Sequence, residues 1–329
     1  MNRMTIMIPT YNRADFLYKN VKEICTIIKA NLLADKVYIY ISDNASTDHT
    51  IEIMKKLEEE AGEVKVICRY NKNNVGISEN LMGILKNVQT EYAMVLGDDD
   101  FIEPEYLSEA MEKINADMRI ACIVPSYQNI TVDGRKMNRS RDLGKAPKLY
   151  KKGFYNCFVN SWRAHQLSGL VFKVDNLYSK SREVALNNLY LFVYWVAEAC
   201  LQGSTLHLTT YPIKVTRPSQ AAKTWSYGKD GLINEFFQNY RVMSELSYVQ
   251  RSLLEVKFLY SQYWRYAMYL KLGIGAFFKC ILSIMTAENA TYITRVLFII
   301  YLPLIGILQS LKLLFTGKIF EVLSTKVEV

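Results

Sequence analysis

The first hundred residues alternate short apolar runs with apolar positions at helical spacing. The apolar runs have the character of buried strands and cover residues 4–10, 37–42, 64–70 and 92–96. Helical spacing follows them over about 16–28, 51–57, 78–88 and 106–114. Strands that alternate with helices in this way predict the α/β class, with a doubly wound, largely parallel, Rossmann-like sheet whose loops gather at one rim. Ser46 or Thr47 is expected to cap the second helix.

Beyond residue 120 the pattern is less regular. Further elements are predicted as strands at 120–125, 167–174 and 204–216, a hairpin turn at 132–134 and an apolar helix at 186–201. Two stretches, 135–162 and 217–231, lack periodicity, and we expect them to be loops near the rim. Helical spacing then continues almost to the end. We therefore predict two domains, an α/β domain at 1–230 and a helical region at 231–329.

Three consecutive carboxylates, Asp98, Asp99 and Asp100, follow the fourth strand after Gly97. The carboxyl ends of strands in open α/β sheets are where ligands bind. Adjacent acidic groups repel one another by roughly 1 kcal/mol per pair at partial burial, so we expect a cation to offset them. Oxygen ligands alone favour Mg²⁺ or Mn²⁺. The alternative is a solvated acidic turn at the start of the helix near Pro104.

Composition restricts the function classes. The net charge of +8 suggests a polyanionic partner, but the basic residues do not form the short clusters that track nucleic acid, and no nucleic-acid partner is expected. Six scattered cysteines without a Cys-x-x-Cys pair, together with three histidines, provide no zinc site and indicate reduced thiols in the cytosol. The apolar run at 4–9 is too short for a signal peptide.

Four motifs in order give the chain a family resemblance. They are Ile-Pro-Thr-Tyr-Asn-Arg at 8–13, Ser-Asp-Asn-Ala-Ser-Thr-Asp at 42–48, Asn-x-Gly-x-x-x-Asn at 74–80 and Gly-Asp-Asp-Asp at 97–100. In this order and spacing they resemble the inverting glycosyltransferases of family 2, which have a GT-A fold and use nucleotide-activated sugars. The likeness covers roughly residues 4–216. It disfavours the interpretation of the aspartates as a solvated turn.

The resemblance implies a donor nucleotide site in the first two motifs. Pro9 and Thr10 would line the base pocket through their backbone, and Tyr11 would stack on a uracil or other base. Asp43 would accept a hydrogen bond from the ring N–H of that base. The residues alone leave alternatives open, namely an aromatic at the rim for Tyr11 and an Asx-turn before the next helix for Asp43.

The third motif would add a nucleotide-side loop. The resemblance gives this role to Asn74, Gly76 and Asn80, although ordinary turn chemistry accounts for the same residues.

The fourth motif would hold the ribose and the metal. The resemblance implies that Asp98 holds the ribose and that Asp99 with Asp100 binds the divalent cation bridging the two donor phosphates. Many members of the family carry an aspartate where this chain has Gly97, so the register of these three roles stays open.

Inverting transfer also needs a general base that takes the proton of the acceptor hydroxyl. Family members usually carry an aspartate before the apolar helix that follows the strand at 167–174, but this chain has Asn187 and Asn188 there, and an amide is not a base. We therefore predict Glu183 as the base, with an exposed helix-terminal charge as the alternative. Asp175 and Glu198 are further candidates. Asn188 would orient the acceptor.

The C-terminal third is basic and aromatic. Between residues 257 and 318 it carries seven basic residues and one acid, Glu288. Helices of this kind lie in the membrane interface and are drawn to anionic lipid. The uncharged stretch 296–311 contains Pro303 and is shorter than a spanning helix, so we expect peripheral or re-entrant attachment at the cytoplasmic face of the cell membrane. The alternative is a helical bundle packed on the sheet.

Another motif resembles one found in processive members of the family. Gln262-x-x-Arg265 followed by Tyr266 is similar to their Gln-x-x-Arg-Trp motif, but the final Trp and an array of membrane spans are missing. Processivity is therefore not expected.

These expectations combine into one hypothesis of function. It is a metal-dependent inverting transfer of a sugar from a nucleotide-sugar donor, most plausibly UDP-linked, to a lipid-linked glycan or polysaccharide acceptor. The alternative is a sugar-nucleotide-binding protein of the same fold that no longer transfers. A dinucleotide-dependent oxidoreductase is disfavoured, because no Gly-x-Gly-x-x-Gly follows the first strand.

Overall fold

The chain forms two compact units, Met1–Lys223 and Thr224–Val329. A computed structural model describes residues 3–184, 188–217, 232–262 and 274–315. The first unit contains a β-sheet with helices, and the second contains helices. The predicted α/β architecture with a helical C-terminal region is confirmed.

Nine strands form one sheet in the described part of the first unit. In chain order they are β1 Met4–Thr10, β2 Val37–Asp43, β3 Val66–Tyr70, β4 Tyr92–Val95, β5 Ile120–Ile130, β6 Lys136–Arg141, β7 Lys148–Tyr150, β8 Leu170–Lys173 and β9 Ser204–Thr216. Their order across the sheet is β3-β2-β1-β4-β8-β5-β9-β7, with β6 paired to β5. Strands β1 to β4 run parallel, β8 runs antiparallel to its neighbours β4 and β5, and β5 runs parallel to β9.

Helices connect most of these strands and make up the described second unit. In the first unit they are α1 Ala14–Ala30, α2 Thr50–Glu60, α3 Gly76–Leu85, α4 Pro104–Ala116, α5 Phe154–Asn160, α6 Leu177–Glu183 and α7 Leu191–Gln202, with a 3-10 turn at Ser161–His165. In the second unit they are α8 Leu232–Arg241, α9 Tyr248–Ser261, α10 Ile274–Thr286 and α11 Tyr292–Phe315.

Burial explains why the first elements form. All seven residues of β1 are buried, as expected of a central parallel strand that is covered on both faces. The helix α1 buries Leu17, Val21 and Ile28 at helical spacing, and each such side chain stabilises the fold by about 1.5–3 kcal/mol. It ends at Asn31, whose N–H donates to the Ile27 carbonyl, and the next residue, Leu32, has a φ of 55°.

The carboxyl ends of β1, β2 and β4 lie at one edge of the sheet, which we call the aspartate rim. Thr10 is in register with Asp43, and Met7 with Val95, so the residues that follow these strands lie side by side. Since β2 flanks β1 on one side and β4 on the other, β1 is the point where the strand order reverses. Open α/β sheets bind ligands at such a switch point.

Three details of the predicted elements are wrong. The predicted loop at 135–162 contains β6, β7 and α5, because pairing with β5 makes β6 a strand although its sequence is polar and shows no apolar alternation. The apolar helix begins only at Leu191. Neither Ser46 nor Thr47 caps α2, which begins after His49. The Ser46 hydroxyl accepts the Asn12 N–H, and the Thr47 hydroxyl donates to Asn12 Oδ1.

The second unit has its own buried contacts. Ser247 and Gln250 form a capping box at the start of α9, and Phe236 stacks on Phe258 with ring centroids 3.6 Å apart. The buried carboxylate of Glu255 accepts the Thr291 N–H at 2.8 Å. Among the described residues, no helix is long and apolar enough to cross a membrane. Arg265 and Tyr266 of the processivity-like motif lie outside the described residues, as does 218–231 of the second predicted loop.

Candidate active site

Hydrogen bonds tie three of the four motifs together at the aspartate rim. The Thr10 hydroxyl donates to Asp98 Oδ2 at 2.8 Å, which joins the end of β1 to the residues after β4. The Asn44 N–H donates to the Thr10 carbonyl at 2.9 Å, which joins β1 to the end of β2. Thr10, Asp43 and Asp98 are all buried. The structure therefore brings together residues that the sequence analysis assigned to one site.

Arg13 provides a positive charge at this rim. Its Nη1 lies 2.8 Å from Asp99 Oδ2, and the two side chains are only 11% and 10% exposed. The sequence analysis quoted Arg13 within the first motif but gave it no role. The ion pair neutralises one of the three adjacent carboxylates.

The other two carboxylates keep an excess of negative charge. Burial, followed by the charge of Asp99, raises the pKa of Asp98 to about 7. The same two causes raise the pKa of Asp100 to about 6. Raised pKa values mean that ionised carboxylates are costly here, and a bound cation lowers that cost. The charge at the rim is therefore suited to a divalent cation.

Asp100 is held by donors from two distant segments. It accepts hydrogen bonds from Ser168 Oγ, from Gln166 Nε2 at 3.2 Å and from the N–H of Thr216, the last residue of β9, at 2.9 Å. Arg217 Nη2 donates to Gln166 Oε1 at 3.1 Å. These donors are 66 to 116 residues from Asp100, and no pattern in the sequence links them to it.

The residues at the rim fit a magnesium or manganese ion in charge and ligand type. No group of three or more His, Cys, Asp or Glu side chains converges on a common point in the described ranges. Mg²⁺ is usually held by only one or two carboxylates, with substrate phosphates and water completing its shell. The assignment of Asp99 and Asp100 as the ligands stays a prediction.

The loop after β1 is braced by the second motif. Asn12 has a φ of 52°, and its Oδ1 accepts the Thr47 N–H at 2.7 Å. Beside it, Tyr11 is 40% exposed at the rim, while Pro9 is buried in β1. Tyr11 thus stands where a flat ligand could stack on it. The base-binding roles of Pro9, Thr10 and Tyr11 stay predictions.

Asp43 makes a turn contact of the kind that was the alternative to base binding. Both of its carboxylate oxygens accept the Ser46 N–H, at 3.2 and 3.1 Å. This contact shapes the loop after β2 without testing whether Asp43 also binds a base.

The third motif shapes the neighbouring loop. Asn80 is buried, and its Oδ1 accepts from Ser42 Oγ at 2.6 Å and from Asn71 Nδ2 at 2.8 Å. Asn74 Oδ1 accepts the N–H of Gly76, whose φ of +79° favours glycine. These contacts give the three motif residues a clear structural role, and their contact with a nucleotide stays a prediction.

Glu183 and Asn188 both lie before the start of α7 in the chain. Glu183 is exposed at the end of α6, which is the helix-terminal position named as its alternative. Asn188 is buried, its Oδ1 accepts the Tyr190 N–H at 2.8 Å, and its carbonyl accepts the Ser78 hydroxyl at the start of α3. Their roles toward an acceptor stay predictions, and Asn187 lies outside the described residues.

Asp175 and Glu198 are unsuitable as the general base. Asp175 follows Lys173, which pairs with Tyr92 at the start of β4, so it lies at the opposite edge of the sheet from the aspartates. Glu198 lines a cavity together with Asp175 and is buried against Lys180. The sequence could not separate these candidates, because the direction of β8 is set by tertiary pairing.

A buried charge cluster supports the segment that holds Asp100. Arg163 Nε lies 2.8 Å from Asp142 Oδ2, and His207 Nε2 lies 3.2 Å from the same oxygen. Burial alone would raise the pKa of Asp142, but the hydrogen bonds from His207 and Arg163 outweigh it and hold that pKa well below its usual range. Because Arg163 is in the 3-10 turn before Gln166, the cluster fixes the start of that segment. His207 therefore has a structural role in this cluster.

Residues 5–168 match the family model of Glycosyl transferase family 2. One curated relative, a GalNAc(5)-diNAcBac-PP-undecaprenol beta-1,3-glucosyltransferase of Campylobacter jejuni, is 25% identical over 169 residues, which cover 49% of this chain and 53% of the relative. The chain spans about half or less of the length of the curated relatives reported, from 13% for a chondroitin synthase of Pasteurella multocida to that 53%.

Solved structures share the fold at low sequence identity. S. aureus TarS 1-349 in complex with UDP-GlcNAc superposes with a TM-score of 0.64 at 15% identity, covering 96% of this chain and 92% of TarS 1-349. A mannosyltransferase of Pyrobaculum calidifontis in complex with GDP-Man and Mn²⁺ superposes with a TM-score of 0.57 at 12% identity, covering 98% of this chain and 86% of the other. The predicted GT-A-type fold is confirmed by these likenesses.

Proposed function

Because the chain belongs, through residues 5–168, to glycosyl transferase family 2, we propose that it transfers a sugar from a nucleotide-sugar donor to a hydroxyl group of a glycan acceptor, with inversion at the anomeric carbon. The observation that carries the proposal is the joining of Thr10 to Asp98 and of Arg13 to Asp99 at the ends of β1 and β4. It brings buried carboxylates to the end of β1, the strand that Tyr11 follows, at the edge where such sheets bind nucleotides.

The proposed reaction is a single displacement. The acceptor oxygen forms a bond to the anomeric carbon while the bond from that carbon to the donor diphosphate breaks, and Glu183 takes the acceptor proton. Tyr11 stacks on the base, and Asp98, positioned by Thr10, holds the ribose. Asp99 and Asp100 would hold a divalent cation, which would supply Lewis-acid stabilisation of the charge on the departing diphosphate. Ser168 and Gln166 keep the Asp100 carboxylate in place.

The proposed donor is a UDP-sugar and the proposed metal is Mg²⁺ or Mn²⁺. The TarS complex with UDP-GlcNAc and the mannosyltransferase complex with Mn²⁺ support this choice for the fold. Thermal denaturation with UDP, GDP, CDP and dTDP, each with and without Mn²⁺, tests it. We expect stabilisation by UDP that requires Mn²⁺, and stabilisation by none of the four would count against the donor site.

The proposed acceptor is a lipid-linked glycan at the cytoplasmic face of the membrane. The Campylobacter relative carries undecaprenol in its name, which supports a lipid carrier. In this chain α11 exposes large apolar side chains, among them Ile300 at 62%, Leu308 at 67% and Phe315 at 87%. Exposed apolar surface of this kind marks interaction sites. We propose that it attaches the chain peripherally to lipid.

Vesicle flotation tests the membrane part of the proposal. We expect flotation with phosphatidylglycerol vesicles and a clear loss of it in Ile300→Ser/Leu308→Ser. Leu32→Ser is the control, since Leu32 is 83% exposed in the first unit. Equal flotation of all three proteins, or none by the wild type, would contradict membrane attachment by α11.

A sugar-nucleotide-binding protein without transferase activity is the second candidate. It is favoured by Asn188, which stands where relatives carry the base and which is committed to the Tyr190 N–H. Incubation with Mn²⁺, UDP-sugars and a panel of glycan acceptors separates the two functions. Release of UDP that falls at least tenfold in Glu183→Gln supports transfer, and nucleotide binding without UDP release supports the second candidate.

A further inference from the structure

A cavity opens at the edge of the sheet opposite the aspartate rim. Its volume is about 620 Å³, within the range of about 300–1,000 Å³ of small-molecule sites. It lies where β8 ends and β9 begins, since Lys173 and Ser204 line it and these residues pair with Tyr92 and Ile120 at the starts of β4 and β5. The proposed donor site is at the other ends of the parallel strands, so the cavity is separate from it.

The cavity is lined by more positive than negative side chains. Its cationic side chains are Arg119, Lys151, Lys152, Lys173 and Lys180. Against these five stand two carboxylates, Asp175 and Glu198. The lining residues therefore carry a formal net charge of +3, from five cations and two anions.

Ion pairs already occupy three of these cations. Lys173 pairs with Asp175 at 3.0 Å, Lys180 pairs with the buried Glu198, and Arg119 pairs with Asp117 at 2.8 Å.

Two lysines remain to bind a ligand. Lys151 and Lys152 follow β7 directly, are exposed, and have no carboxylate at ion-pair distance among the residues that the structure describes. They stand at the opening of a concave site whose own carboxylates are neutralised. Together their two ammonium groups match the charge of a phosphate dianion, and lysine binds phosphate as a point charge.

The cavity lining also includes apolar side chains. They are Phe172 and Leu177, which are almost fully buried, and Met118, which is exposed. A ligand with an apolar portion next to its phosphate would therefore be accommodated there.

We propose that this cavity is a second binding site, for a phosphate-bearing ligand that Lys151 and Lys152 hold at its opening. The site is independent of the proposed transferase reaction, because it shares no residue with the aspartate rim. The phosphate belongs either to a soluble metabolite or to a lipid headgroup, and both have the same contact chemistry.

Pyrophosphate binding by calorimetry in EDTA tests the proposal. EDTA removes the divalent cation through which the proposed donor site would hold a diphosphate, so binding that depends on Lys151 and Lys152 reports on the cavity. We expect Lys151→Ala/Lys152→Ala to bind at least tenfold more weakly than the wild type. The matched control is Lys55→Ala/Lys56→Ala, which removes an adjacent exposed lysine pair from α2. Unchanged melting temperatures establish that the variants fold.

A second arm identifies the source of the phosphate. Vesicles of phosphatidylglycerol and of phosphatidylcholine are offered to the same three proteins, each of which also carries Ile300→Ser/Leu308→Ser so that the apolar face of α11 does not contribute to vesicle binding. Pyrophosphate binding that depends on Lys151 and Lys152 supports a soluble ligand, and vesicle binding with the same dependence but no pyrophosphate binding supports a headgroup. The proposal is overturned if neither probe binds, or if both double variants bind as the wild type does.

Discussion

Arg13 and Asp99 form a nearly buried ion pair at 2.8 Å that joins the first and fourth motifs across 86 residues of sequence. In the part of the chain that the structure describes, it is the one ion pair of Asp99, which lies between Asp98 and Asp100. Asp98, Asp99 and Asp100 are only 7%, 7% and 5% exposed. Without the ion pair, three adjacent carboxylates would therefore repel one another in a nearly buried position. The loop after β1 and the loop after β4 therefore depend on each other electrostatically.

Replacing Arg13 by Ala leaves Asp99 buried and unpaired. Loss of one partner of a buried pair costs about 3–5 kcal/mol, and we expect the free energy of unfolding in urea to fall by that order. Because a cation would substitute for the guanidinium, Mn²⁺ should restore part of the loss. The control is Arg3→Ala, which breaks the exposed pair with Glu91 and should cost much less, because water screens an exposed ion pair. Equal losses in the two variants would contradict the role given to Arg13.

Asp99→Asn tests the predicted metal site. We expect UDP with Mn²⁺ to raise the melting temperature of the wild type and not that of the variant, since a ligand at 100 times its Kd stabilises by about 2.7 kcal/mol. Asp117→Asn is the control, because Asp117 pairs with Arg119 at the opposite edge of the sheet. If Asp99→Asn kept the full Mn²⁺-dependent shift, Asp99 would not be a ligand.

Ser168→Ala removes the hydroxyl that donates to Asp100 and accepts the Gly97 N–H at 3.0 Å. We expect a loss of about 1 kcal/mol in stability. The KM for the nucleotide sugar should also rise several-fold, because the Asp100 carboxylate is less well positioned. Ser252→Ala, in the second unit, loses a hydroxyl of similar burial that donates to Thr291 Oγ1 at 2.9 Å. It should lose similar stability with KM unchanged, and a matching rise in KM there would show a general effect of destabilisation.

Asp142→Asn is predicted to have a pH-dependent cost. The folded pKa of Asp142 is depressed, so its contribution to stability is present above the unfolded pKa of about 4 and is lost as the pH falls further. The stability difference between wild type and variant should be about 3–5 kcal/mol at pH 7, because Arg163 is left buried without its partner. It should shrink below about pH 4. A difference that does not vary with pH in urea titrations from pH 3 to 8 would contradict the charge-cluster account.

The sequence predicts the parallel half of the sheet and the proximity of its motifs for a local reason. Thr10, Asp43 and Asp98 each sit at or just after the end of an apolar strand, and parallel strands end at one edge. The turn at Gly76 is predictable for an equally local reason, because its motif is typical of a turn, and the structure gives this glycine a φ of +79°.

What the sequence could not predict depends on tertiary pairing. Ser168 and Thr216 donate to Asp100, but the direction of β8 and the position of β9 decide this, and neither is encoded near Asp100. The strand β6 carries no apolar alternation, and its last residue, Arg141, is buried through charge pairing and hydrogen bonds rather than hydrophobicity. For the same reason the separation of Asp175 from the aspartate rim appears only in the folded chain.

The hydrogen bond from the Thr216 N–H to Asp100 makes the backbone at the end of β9 sensitive to protonation of that carboxylate and to cation binding by it. A proton or a cation that arrives at Asp100 withdraws electron density from the accepting oxygen and weakens this backbone contact. Occupancy of the site would then be transmitted along the main chain to Arg217, without any movement of the strands that carry the aspartates.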